Sequence, residues 1–188
     1  MASDHALNPT SQSLTQDPVA AEPIDPSSAK REILHNLLQE AASFNLSNTS
    51  SLLYHAYTSL PHSSPSHHVN WAGFYTLDPT SPHTSPSLIL GPFQGRTACQ
   101  TIAFNRGVCG TAAAKKRTVR VHDVHEFPGH IACDERSRSE IVVPILRHWK
   151  VVAIIDIDCA EVGGFDEVDE EYLGRLSNLL SKSCDWAS

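Results

Sequence analysis

The sequence predicts a single α+β domain built on an antiparallel sheet, and three observations carry that prediction. Apolar residues recur at helical spacing near both ends of the chain, whereas from about residue 68 onward the period is two. The period-two runs are short and follow one another as hairpins, an arrangement that yields antiparallel neighbours. With 188 residues and no internal repeat, the chain is long enough to bury one substantial core.

Residues 1–26 are rich in Ser, Thr and Pro with no periodic apolar face, and read as a mobile tail before a folded domain over 27–188. Asp25 followed by Pro26 marks a helix start. Leu34, Leu37, Leu38, Ala41 and Phe44 supply that helix's apolar stripe. A second short helix carries Leu52, Leu53, Ala56 and Tyr57, up to the breaker LPHSSPSHH. HVNWAGFYTLD reads as the first strand, 78–87 as a loop, SLILGPFQG as the returning strand and ACQTIAF as a third. GVCGTAAAKKR opens with glycine and turns alanine-rich, predicting a short helix with Cys109 in its first turn. TVRV is a short strand, 122–136 an irregular excursion, and EIVVPIL with KVVAIIDIDC a hairpin about His148-Trp149. Asp166 caps a last helix that turns Leu173, Leu176, Leu179 and Leu180 inward.

Side chains alternate across a strand, so Trp71 and Tyr75 share a face, and Gly73 between them predicts open space above the sheet. Asp156 and Asp158 likewise share a face, opposite Ile155 and Ile157. Two acids inside an apolar run are costly to bury without a partner or a task, which points to a pocket wall. Cys159 falls on the Ile157 side and reads as a small buried hydrophobe, and Cys184 has no partner motif.

The formal net charge of −7 argues against nucleic acid as a partner, and KKRTVR at 115–120 reads as a solvated turn and strand. No apolar run approaches the roughly 20 residues that span a bilayer, and neither a secretory signal nor a transit peptide is evident. The expected compartment is the cytoplasm, where thiols stay reduced, and five cysteines leave at least one unpaired. Cys99, Cys109 and Cys133 therefore point to metal ligation or thiol chemistry. His122, His125, His130 and Cys133 form H-x2-H-x4-H-x2-C, but they lie in one loop without paired knuckles, so the reading is no metal and no cofactor. Thiol chemistry explains more. A helix start lowers the pKa of Cys109, and Arg136 and Arg138 follow Cys133; an oxidised thiolate can then condense with a second thiol.

NWAGFY, LGPFQGRTACQTIAFNRGVCGTAA, HIACDERSRSEIVVPI and AIIDIDC resemble the free methionine-(R)-sulfoxide reductases, enzymes of the GAF fold, with the likeness running from about residue 30 to 185. The resemblance implies a six-stranded antiparallel sheet with the N- and C-terminal helices packed on one face, a homodimer, and reduction by thioredoxin. It implies Cys133 as the nucleophile and Glu140 and Asp158 as the groups that polarise or protonate the sulfoxide oxygen. Asp156, helped by Glu140, would hold the substrate ammonium, Trp71 would pack on its methyl group, and Tyr75 would close the same side. Cys109 and Cys99 both stand as resolving thiols, the helix start favouring Cys109. A GAF module that senses a small molecule without turnover is the rival of a different class.

Overall fold

The computed structural model describes residues 26–41, 46–131 and 133–186. Phe44, the predicted tail up to residue 25, and the side chains of Leu38 and Ala41 lie outside the described residues. In chain order the elements are α1 (Pro26–Ala41), α2 (Leu46–Thr58), β1 (Val69–Leu77), β2 (Ser87–Gly95), β3 (Thr101–Ala103), α3 (Gly107–Lys115), β4 (Val119–Val121), β5 (Ser139–Arg147), β6 (Lys150–Cys159) and α4 (Glu167–Ser183). The six strands form one sheet in the order β3-β2-β1-β6-β5-β4, and every neighbouring pair is antiparallel.

The period-two pattern sorts the core into two layers. Ala72 and Phe74 of β1, Ile141 and Val143 of β5, and Ile155 and Ile157 of β6 bury one sheet face under Leu34, Leu37, Leu53 and Tyr57 of α1–α2 and Leu173, Leu176 and Leu180 of α4. The terminal helices thus share a face, as the family resemblance implies. Each fully buried Leu or Ile contributes about 1.5–3 kcal/mol. Cys159 joins this layer, fully buried. The opposite face, bearing Trp71, Tyr75, Val142 and Ile154, is covered by Val108, Cys109, Ala112 and Ala113 of α3.

A polar tie crosses the helical layer. Lys30 of α1 donates to Asp169 of α4 at 2.6 Å, to Asp166 at 3.2 Å and to Ser66 at 3.1 Å, and the Tyr57 hydroxyl donates to Asp169 at 2.8 Å. Asp166 also caps α4 in a reciprocal capping box with Asp169, as its position before the apolar stripe predicts. The β5–β6 turn places both His148 and Trp149 at positive φ, 49° and 64°, the backbone that a two-residue hairpin requires.

Two expectations are corrected. ACQTIAF does not form one strand: β3 holds only Thr101–Ala103, and Ala98 and Cys99 lie in the loop before it. Continuing the β2–β3 register would set Ala98 against Pro92, which has no N–H to donate, beside the bulge where β2 slips against β1. The space over Gly73 is also not open. A Cβ there would overlap the Cβ of Phe93 and come within 2.8 Å of the Trp71 ring, so Gly73 is the seat on which two aromatic rings stack.

Candidate active site

The β1–β6–β5 register brings the chemistry-bearing side chains to the α3 face. Asp158 pairs with Trp71 on one side and Glu140 on the other, while Asp156 pairs with Gly73 and Val142. All lie on the same side of the pleat as Tyr75, so three carboxyl groups from two adjacent strands meet beside two aromatic rings. Trp71 stacks between Tyr75 and Phe93, at ring-centroid distances of 5.9 and 5.3 Å, and its indole N–H donates to the Arg96 carbonyl at 3.2 Å.

A cavity of about 270 Å³ opens over this floor. Its walls include Trp71, Tyr75, Cys109, Glu140, Asp156 and Asp158, with Cys99 and Cys133 at its rim. Cys133 is exposed and disulfide-bonded to half-buried Cys99, with the two Cα atoms 5.9 Å apart. The bond joins the 96–100 loop to the 127–138 segment across the cavity mouth. Cys109 stays a free, buried thiol that donates to Glu140 Oε1 at 3.5 Å. Gly110 lets α3 sit so close, because a Cβ there would overlap the Ala103 carbonyl.

Electrostatics set the protonation of the floor. Burial, then the charges of Asp156 and Asp158, pushes Glu140 well above the usual carboxyl range. Burial and Asp156 do the same to Asp158, which a hydrogen bond from Ser137 partly offsets. Burial pushes Asp156 up to about 6. Among the described residues no Lys or Arg lies within salt-bridge reach of these three acids, and Asp156 Oδ1 is buried without a hydrogen-bond partner.

The sign expected for Cys109 is reversed. Burial, followed by the charges of Asp156 and Glu140, pushes this thiol well up, which outweighs the lowering expected at a helix start. The cations expected beside Cys133 are also committed elsewhere, Arg136 to Asp134 at 2.7 Å and Arg138 to Asp123 at 3.0 Å.

The histidine loop does not converge on a metal. His125 lies beside Asp123, His122 packs against Gly163, and Cys133 is bonded to Cys99. His130 instead faces the acids, with Nε2 3.7 Å from Glu140 Oε2, and burial pushes its pKa down, which favours the neutral ring. Sequence reading weighed His130 only as a ligand in that loop. Phe93 was missed too, although an aromatic opposite a strand glycine is a signal a hairpin register can supply.

The GAF domain family model matches residues 27–182. The chain is 54% identical over 141 residues to the free methionine-R-sulfoxide reductase of Saccharomyces cerevisiae, covering 74% of each chain. It is 44% identical over 137 residues to the enzyme of the same name from Escherichia coli, covering 73% of this chain and 74% of that one. The free methionine-R-sulfoxide reductase of Neisseria meningitidis, solved with its substrate, superposes with a TM-score of 0.73 at 39% identity, covering 86% of this chain and 92% of the other. With its antiparallel GAF sheet, its disulfide at the rim and its acidic floor, the chain belongs to the free methionine-R-sulfoxide reductase family of oxidoreductases.

Proposed function

We propose that the protein reduces free L-methionine-R-sulfoxide to L-methionine through Cys133, and the observation that carries this is the Cys99–Cys133 disulfide at the mouth of a cavity floored by three acids with no Lys or Arg within salt-bridge reach among the described residues. Glu140 and Asp158, held well above the usual carboxyl range by burial and by the charge of Asp156, deliver a proton to the sulfoxide oxygen, a poor leaving group until protonated. The Cys133 thiol attacks the sulfoxide sulfur. The S–O bond passes to Cys133 as a sulfenic acid, and the sulfide, methionine, departs. The Cys99 thiol then displaces that oxygen as water and forms the disulfide. A dithiol reductant, thioredoxin in this reading, returns both thiols by exchange, so one sulfoxide consumes two electrons and two protons.

Asp156, the acid of the three whose pKa of about 6 leaves it ionised at neutral pH, suits the α-ammonium with Glu140 accepting through its carbonyl oxygen, and the first-turn N–H groups of α3 suit the α-carboxylate. Trp71 and Tyr75 then pack on the methyl end. A cavity of about 270 Å³ that reads both charged ends excludes methionine sulfoxide within a peptide. The chain works as a cytoplasmic homodimer in this reading. No helix among the described residues is long and apolar enough to cross a membrane.

The test is NADPH consumption with thioredoxin and thioredoxin reductase, comparing the free R epimer, the free S epimer and a sulfoxide-containing peptide. Turnover of the free R epimer only, abolished by Cys133→Ser, is the expected result. Binding of the free sulfoxide to a folded protein that never turns it over would instead favour the sensing module.

A further inference from the structure

We propose that Cys109, Glu140 and Asp156 form a binding site for a soft divalent cation, with Zn²⁺ the best fit, and that this metal and the substrate exclude each other. The second clause rests on the reading that the same acids receive the substrate ammonium. One donor atom from each residue lies within 4.8 Å of the other two, and all three residues are buried. They come from α3, β5 and β6, so regular elements hold the donors in place.

The spacing suits zinc. Tetrahedral Zn²⁺ with bonds of about 2.3 Å to sulfur and about 2.0 Å to oxygen sets those two donors roughly 3.5 Å apart. The Cys109 Sγ–Glu140 Oε1 separation is 3.5 Å. Asp156 adds an independent pointer, because its Oδ1 is buried, unpartnered and 5% exposed as a residue. One thiolate with two carboxylates favours zinc over Mg²⁺ or Ca²⁺, which take oxygen-only shells. The cavity side leaves a fourth position for water, as in open zinc sites. On binding, the Cys109 thiol proton and the carboxyl protons leave to solvent as the metal takes their place.

Cys133 and Cys99 would compete for metal when reduced, so the test uses the full chain in its disulfide form, stripped with chelator and titrated with Co²⁺. The expected result is a sulfur-to-cobalt charge-transfer band that saturates at one ion per chain and is displaced by Zn²⁺. Cys109→Ser should abolish the band, Asp156→Asn should weaken Zn²⁺ binding at least about tenfold, and Cys184→Ser should change neither. Absence of the band, its survival in Cys109→Ser, its loss in Cys184→Ser, or unaltered Zn²⁺ affinity in Asp156→Asn overturns the site. Should Cys109→Ser fail to fold, Asp156→Asn decides. Calorimetry of free methionine sulfoxide on metal-free Cys99→Ser/Cys133→Ser protein, with and without Zn²⁺, separates the two claims. Sulfoxide binding that Zn²⁺ leaves unchanged overturns the exclusion, whereas sulfoxide that never binds overturns the substrate reading and leaves the metal site standing.

Discussion

Asp156 sets stability against function. Its carboxyl is buried, one oxygen has no partner, and its pKa stands at about 6. An unfolded chain holds the same group near 3.9, so the folded state binds its proton more tightly. The stability this gives is fully present below about pH 4 and is lost as pH rises through about 6, where the native carboxyl must ionise without a cation. Asp156→Asn removes that loss. It should stabilise the protein by on the order of 1–3 kcal/mol at pH 7.5, do little at pH 4, and cost binding of the free amino acid. Urea melts at the two pH values check it, and an equal effect at both would show that the acid is not the source. Cys109 shows why such signs are hard to read from sequence. Its place at a helix start is legible, but the acids that reverse its pKa shift come from strands 31 and 47 residues away.

At the scale of elements, period and parity were legible and cross-strand contacts were not. The faces of Trp71, Tyr75, Asp156, Asp158 and Cys159 follow from alternation alone, and the Asp166 cap from its place before an apolar stripe. Parity names a face but not what reaches onto it from the next strand. That is why Gly73 read as open space where Phe93 stacks, and why Cys99 read as a strand residue. The tie between α1 and α4 was equally invisible, because Lys30 and Asp169 are 139 residues apart. Burial makes that tie testable. Lys30 is 4% exposed and Asp169 is fully buried, so Lys30→Met leaves a carboxylate deep in the helical layer beside the Tyr57 hydroxyl. The expected cost is about 3–5 kcal/mol at neutral pH, read by denaturant melts. Adding Asp169→Asn should recover part of it, and no recovery would mean that the loss was packing of the lysine stem.

At the scale of the whole molecule, the six-stranded sheet separates a helical layer that holds the fold from a layer that carries the chemistry. The Cys99–Cys133 disulfide spans the cavity mouth of the second layer. Cys99 and Cys133 stand 34 residues apart and close a loop containing β3, α3 and β4, which brings the rim segments together over the acidic floor. Closing a loop of that length restricts the unfolded chain by about 3–4 kcal/mol in the chain-entropy view. Reduction should therefore lower the melting temperature by several degrees while leaving the β1–β6–β5 centre folded. Hydrogen exchange should then rise in residues 96–100 and 127–138, with little change in β6. Which thiol closes the loop decides the outcome in variants. Cys99→Ser should abolish the redox-dependent shift and Cys109→Ser should retain it, since the Cys109 sulfur points to Glu140 at the floor of the cavity. If the shift survived in Cys99→Ser and vanished in Cys109→Ser, the buried thiol would be the resolving one, and α3 would have to move to let it reach the rim.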